Sequence, residues 1–383
     1  MSQSLRVGIN AIFLQPGMGG IETYLKHLIP EVRRARPEIE LTVLCNARGY
    51  ELLSREGWDG VKLEVPRFIT RQGLRAAGEL TVLGSIASRR FDILHSPALT
   101  APLRTKAANV VMIADVTWII EPHTEGKNQG PTVRLWQLVV PRVARRADRL
   151  ITLASAVSDQ VVEHLRVDPD RIDAIGLGYE AGTRATPAPE KELRERLEIG
   201  EGPIVLNVGA KKIHKNQMRL IEALPRVREK VPATQLVIAG ANTGYEERLA
   251  RRAAGMGLSD CVCLPDYVDD ADLEGLYAAA GAFVFPSLSE GFGLPLLEAM
   301  ARDVPVITSN RSVMPEVAGD AALLVDPESP SAIADATIAA LKHKRTRKRL
   351  IAAGRKRIAD FTWQRTAELT IQSWERALTQ RSN

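Results

Sequence analysis

The chain has 383 residues, 45% of them hydrophobic and 25% charged, with a formal net charge of +5. That length exceeds what one hydrophobic core usually serves and predicts two domains, and no segment approaches the roughly 18 apolar residues of a membrane-spanning helix. Aromatic residues make up 5%, and no helix-turn-helix signature, zinc-finger spacing or base-stacking motif occurs, so the positive excess is read as solvated surface and no nucleic-acid partner is expected.

The opening MSQSLRVGINAIFLQPGMGG has one Arg and then a short apolar run that reads as a strand, without the h-region of a secretory signal. A cytoplasmic location is therefore expected. Apolar β-rich runs then alternate with amphipathic ones: IETYLKHLIPEVRRA, ELTVLCN, FDILHS, NVVMIAD and RLITLA. This alternation predicts β-α units with a parallel sheet. After Tyr179, EAGTRATPAPEKE has no apolar periodicity and is read as a linker. A second alternation follows, through PIVLNVGA, TQLVIAG, CVCLPDYV, GAFVFPS, VPVITS and AALLVDP. The chain closes in two or three helices, the last anchored by Trp363 and Trp374.

The expected organisation is a first α/β domain over 1–180, a linker over 181–200, a second α/β domain over 201–361, and a terminal helix over 362–383 that packs back on the first domain. Two open sheets facing each other would bind ligand at the carboxyl ends of their strands. Cys45, Cys261 and Cys263 are too few for a metal site, and Cys-Val-Cys cannot close an ordinary disulfide, so they are read as buried thiols in strands.

The chemistry concentrates in FVFPSLSEGFGLPLLEAMARDVPVITS, a strand, a glycine-containing loop and a helix that Pro295 is suited to start. The backbone N–H groups of Phe292, Gly293 and Leu294 would lack partners within that helix and, with its dipole, favour an anion such as a diphosphate. Glu298 is expected in the first turn, its carboxylate accepting from two vicinal hydroxyls such as those of a ribose. Glu290 precedes the helix and is expected to orient a sugar attached to the diphosphate. One acid near a helix start ordinarily just complements the dipole; two that bracket Gly-Phe-Gly-Leu-Pro after a β run are improbable as independent surface choices.

This segment resembles the signature of the family 4 retaining glycosyltransferases of GT-B fold, with their paired Glu separated by seven residues. The resemblance runs on through MPEVAGDAALLVDP and back through LPDYVDDADLEGLYAAAGAFVFPS, so nearly the whole chain takes part. It implies two Rossmann-like doubly wound domains facing across a cleft. It implies transfer of a hexose, with retention of configuration, from a nucleoside diphosphate sugar to a saccharide or lipid-linked saccharide, in cell-surface polysaccharide synthesis. In VLNVGAKKIHKN, Lys215 corresponds to the family lysine that neutralises the donor diphosphate, so Lys215 and Glu290 are the expected catalytic pair. Gly240, closing TQLVIAG, joins the donor-binding positions, and PGMGGIETYLKHL resembles the family's glycine-rich loop, bringing Gly19 and Gly20 to the donor. The form of VGAKKIHKN is closest to variants found in mannosyltransferases, which favours GDP-mannose.

Several positions depart from the family. Ala114-Asp115 stands where His-Asp is common, removing a titratable group from the expected sugar site. Ala210 replaces a frequent Arg, leaving Lys211 or Lys212 to substitute, with Lys212 the candidate. Asp303 replaces a usual glycine and Ala154 a frequent Ser. His95 and Asp115 are acceptor-side candidates, while His123 and His214 are expected at the surface. A basic stretch from Arg67 to Arg90, interleaved with Phe68, Ile69, Leu74 and Leu83, is a candidate face for anionic membrane. No metal or other cofactor is expected, since basic groups suffice for the diphosphate and Asp269-Asp270-Ala271-Asp272 reads as a helix cap. Two other readings stay open: a nucleotide-binding scaffold without turnover, and a nucleotide-sugar epimerase.

Overall fold

The computed structural model describes residues 4–15, 19–55, 62–66, 75–120, 131–180 and 185–382. They divide into two units, one of the described residues up to 120, those of 131–178 and those from 362 onward, the other running through 179–361.

The first unit holds a parallel sheet in the order β3-β2-β1-β4-β5-β6-β7. Its strands are β1 (Arg6–Ala11), β2 (Glu40–Cys45), β3 (Lys62–Glu64), β4 (Ile93–Ser96), β5 (Ala108–Ile113), β6 (Arg149–Thr152) and β7 (Ile172–Ala174). Strands β4 and β5 are buried at every position, as in a parallel sheet covered on both faces, and are mostly apolar apart from His95, Ser96 and Asn109. The edge strands β3 and β7, KLE and IDA, are too short and polar to announce themselves in the sequence.

Helix Trp363–Ser382 belongs to this unit and lies against helix Gly20–Ala35 and strands β5 and β6. Trp374 is wholly buried, Thr366 Oγ1 donates to the Gly176 carbonyl at 2.8 Å, and Arg376 reaches Asp173, which also takes the guanidinium of Arg149.

The second unit repeats the plan in the order β10-β9-β8-β11-β12-β13. Here the strands are β8 (Ile204–Val208), β9 (Gln235–Ala239), β10 (Val262–Cys263), β11 (Ala280–Phe285), β12 (Val306–Ser309) and β13 (Ala322–Val325). Counted from its own first strand, each sheet runs 3-2-1-4-5-6, with a seventh strand at the edge of the first, so the order reverses beside β1 in one and β8 in the other. Ligands of open α/β sheets bind beyond the strand ends at that reversal.

The 181–200 stretch is only partly linker. Glu190–Arg196 forms a helix packed on helix Asp270–Ala279, the Ala188 N–H donates to Ala271 at 3.0 Å, and Arg196 pairs with Asp272. Asp269 caps that second helix, its carboxylate accepting from the Asp272 N–H at 2.8 Å. Cys45 sits buried in β2, Cys263 is only half-buried in β10, and Cys261 lies in the 3-10 turn Ser259–Cys261 rather than in a strand; none of the three is in a disulfide. Among the described residues no helix is long and apolar enough to cross a membrane.

Candidate active site in the second unit

Two loops beyond the ends of β8 and β9 are locked together by backbone proximity. Gly240 adopts φ 136°, and a Cβ there would lie 2.5 Å from the Gly209 carbonyl oxygen, so only glycine fits. Lys211 completes the lock. It is fully buried, and its ammonium donates to the carbonyls of Gly240 at 2.5 Å and Pro265 at 2.6 Å. Burial lowers its pKa, and the ammonium is engaged in holding loops rather than open to a diphosphate. Lys212, half-buried at the start of the turn Ile213–Lys215, is the lysine left for that role.

The following residues tie this loop to β11. Asn216, in the left-handed conformation at φ 57°, donates its amide to the carbonyls of Pro286 at 3.0 Å and Pro327 at 2.7 Å. Gln217 donates to Asn207 in β8, and Asn207 donates onward to the Val284 carbonyl in β11 at 2.8 Å. These buried amides were missed in the sequence; the available signal was an Asn inside the apolar strand IVLNV. His214 is a correction, because it is buried rather than at the surface, and its carbonyl accepts from the Leu288 N–H at 2.8 Å.

The loop so fixed delivers Lys215 to Glu290. The ammonium lies 2.7 and 2.8 Å from the two carboxylate oxygens and 5.2 Å from the Phe285 ring centroid. Both side chains keep some contact with water, at 17% and 11% exposure. Glu290 is held from behind by Ser312, whose hydroxyl accepts from the Glu290 N–H at 3.3 Å and donates to its carbonyl at 3.2 Å. A cation and a carboxylate thus stand together past β8 and β11, where the strand order reverses.

The next helix is Leu294–Met300, with Gly293 as its N-cap residue at φ 99° and Pro295 second rather than first. Among the described residues, the N–H groups of Phe292, Gly293 and Leu294 have no acceptor. In two turns of helix these groups themselves, more than a macrodipole, would meet an anion. The Phe292 ring is buried edge-on against Phe361, centroids 5.7 Å apart.

Glu298 is the fifth residue of this helix, in its second turn rather than its first. Tyr277 donates its hydroxyl to Glu298 Oε2 at 3.0 Å. Burial raises the Glu298 pKa, while Tyr277 and the Arg302 charge oppose the rise.

The first unit places its candidates differently. Gly19 caps helix Gly20–Ala35 at φ 61°, and Gly20 opens it, whereas Gly17 lies outside the described residues. His95 is fully buried in β4, with Nε2 3.1 Å from the Tyr24 hydroxyl and the ring beside Trp374. Burial pushes its pKa down to about 3. It is a neutral core group, which argues against an acceptor-side role. Asp115 accepts from the Thr117 N–H at 3.0 Å, opening helix Thr117–Ile120, and its neighbour Ala114 is half-buried. Of the basic stretch, 67–74 lies outside the described residues, as does His123; Arg75 pairs with Glu79, Leu83 is buried, and Arg89 and Arg90 are exposed.

Comparison with known proteins agrees across both units. Residues 19–178 match the model of the glycosyl transferase 4-like domain, and residues 189–357 match that of the glycosyl transferases group 1. The chain belongs to the family 4 glycosyltransferases. It is 31% identical to the MMP alpha-(1->4)-mannosyltransferase of Mycolicibacterium hassiacum, over 76% of this chain and 73% of that one. It is 27% identical to the O-antigen chain mannosyltransferase B of Escherichia coli, over 74% of each. Among solved structures, Anabaena HepE in complex with UDP and glucose superposes with a TM-score of 0.72 at 18% identity, covering 97% of this chain and 99% of that one. WaaG, a glycosyltransferase involved in lipopolysaccharide biosynthesis, gives 0.69 at 18% identity, covering 95% and 99%. These structural likenesses establish the GT-B architecture of two Rossmann-like domains.

Proposed function

We propose that this glycosyltransferase moves a hexose, with mannose first among the candidates, from a nucleoside diphosphate sugar to a saccharide or lipid-linked saccharide hydroxyl in cell-surface polysaccharide synthesis. The observation that carries the reading is the Lys215–Glu290 pair beyond the reversal of the second sheet, with Glu290 two residues ahead in the chain of the N–H groups of 292–294, which have no acceptor among the described residues. The mannosyltransferase relatives support mannose, and GDP-mannose is the donor to test first.

Departure of a nucleoside diphosphate develops negative charge on its phosphate. Lys215, Lys212 and the loop N–H groups would stabilise that charge, worth roughly 10²–10³ in rate for a single well-placed donor. Glu290, held by Ser312, would orient the sugar, and Glu298 would accept from the ribose. Gly19 and Gly20, opening the first helix of the other unit, are further donor-binding candidates. Retention is what the family resemblance implies, and because no carboxylate among the described residues stands out as a nucleophile, the proposed route is front-face attack assisted by the departing phosphate. The reading needs no metal, so chelation with EDTA should leave turnover unchanged.

Thermal unfolding with UDP, GDP and ADP, and with their sugars, tests the donor. A ligand bound only by the folded state at a hundred times its dissociation constant adds about 2.7 kcal/mol. Absence of stabilisation by every nucleoside diphosphate would sink the assignment. The absence of His at Ala114 favours one second reading, a nucleotide-binding scaffold. That reading predicts nucleotide binding with neither transfer nor donor hydrolysis. The basic stretch ending at Arg89 and Arg90 is proposed to rest on anionic lipid at the inner membrane face. Flotation with phosphatidylglycerol vesicles checks it.

A further inference from the structure

Behind Glu298 lies a closed set of polar groups that the family signature does not name. Helix Asp270–Ala279 carries Glu274 and Tyr277 three residues apart, hence on one face. Arg302, just past helix Leu294–Met300, donates through Nε to Glu274 at 2.9 Å and through Nη2 to the other oxygen of the same carboxylate. Its Nη1 donates to the Glu298 backbone carbonyl at 2.9 Å and to the Tyr179 hydroxyl at 3.1 Å. The guanidinium carbon stands 4.6 Å from the Tyr277 ring centroid. Tyr277 is pinned by this stack and is 1% exposed, and its hydroxyl reaches Glu298 Oε2.

We infer that Tyr277, backed by the Arg302–Glu274 pair, is a positioning residue for Glu298, fixing one carboxylate oxygen so that the other is left to accept from the nucleotide ribose. The inference rests on the reading of Glu298 as the ribose acceptor. Its physical basis is geometric: a Glu side chain has three rotatable bonds, and a buried hydrogen bond to one oxygen removes most of that freedom before ligand arrives. The same bond opposes protonation of a carboxylate that burial disfavours in its charged form, as does the guanidinium, whereas Glu274 acts against them.

The test compares the dissociation constant of a ribonucleoside diphosphate with that of its 2′-deoxy counterpart, using whichever of GDP or UDP stabilises wild type more, across pH 5.5 to 8.5. Wild type should prefer the ribo form by about tenfold, the scale of a hydrogen bond to a charged acceptor. Glu298→Ala should remove the preference. Tyr277→Phe, which keeps the ring and deletes the hydroxyl, should lower it at least about threefold, with the loss extending to higher pH because the carboxylate then protonates more readily. Glu274→Met combined with Arg302→Met, which strands no charge, should lower it by a smaller factor. If one variant fails to fold by circular dichroism, the other carries the same readout. An undiminished preference in these variants, with Glu298→Ala abolishing it, overturns the positioning role alone. A preference that survives Glu298→Ala overturns the ribose reading and the inference with it.

Discussion

The two units share a strand order, yet they fill the point where it reverses with opposite kinds of side chain. In the first, β4 places His95 between Tyr24 and Trp374, fully buried and neutral. In the second, the segment after β11 brings Glu290 onto Lys215, both charged types and both still touched by water. One fold therefore carries a neutral core group in one unit and a water-touched ion pair in the other, according to how completely a polar group is removed from solvent.

The largest effect expected from breaking this contrast is on the first unit's filling. Trp374→Ala should destabilise the protein by about 3–5 kcal/mol, as large-to-small core changes do, read by urea unfolding. If the second unit's site is self-contained, nucleotide affinity measured on the folded fraction should stay within about twofold of wild type. Lys215→Ala acts in the other unit and should lower kcat/KM roughly 10²-fold or more, the scale of losing one group that stabilises developing charge. Steady-state transfer assays check it, and near-normal turnover would remove Lys215 from the mechanism.

His95 gives a subtler test. Its folded pKa, about 3, lies below the 6.5 of a free histidine, so the unfolded chain binds more protons between those values. This contribution to stability is complete above about pH 6.5 and is lost as pH falls toward 3. His95→Gln should flatten that part of the stability profile in urea titrations at pH 5 and 7.5, yet leave the shape of the activity profile unchanged between pH 6 and 8. A shifted activity profile would return His95 to the site. The smallest effect expected is stabilising. Ala154 is the N-cap residue of helix Ser155–Leu165, in extended geometry and without a side-chain cap, so Ala154→Ser should add about 1 kcal/mol.

That position shows how far the sequence could be read. A Ser is frequent at 154 because a helix begins there, and glycine is usual at 303 because the backbone turns left-handed, Asp303 sitting at φ 59°. Both departures looked unexplained in one dimension and become conformational once the backbone is known. Lys211 and Lys212 are adjacent and chemically alike, and only their burial separates the loop strut from the candidate phosphate ligand.

What the sequence determined by itself was the alternation of apolar strands and amphipathic helices, and with it two doubly wound sheets, because side-chain periodicity is a local property that registers burial directly. The spacing of Glu290 and Glu298 around Gly293 likewise singled out the segment after β11. The partners were not local. Lys215 meets Glu290 across 75 positions, and Arg302 meets Glu274 across 28 and Tyr179 across 123. Those meetings depend on parallel strands whose crossovers bring distant loops to one edge of the sheet, so only the tertiary structure could decide which charges are paired, which are buried and which remain for a ligand.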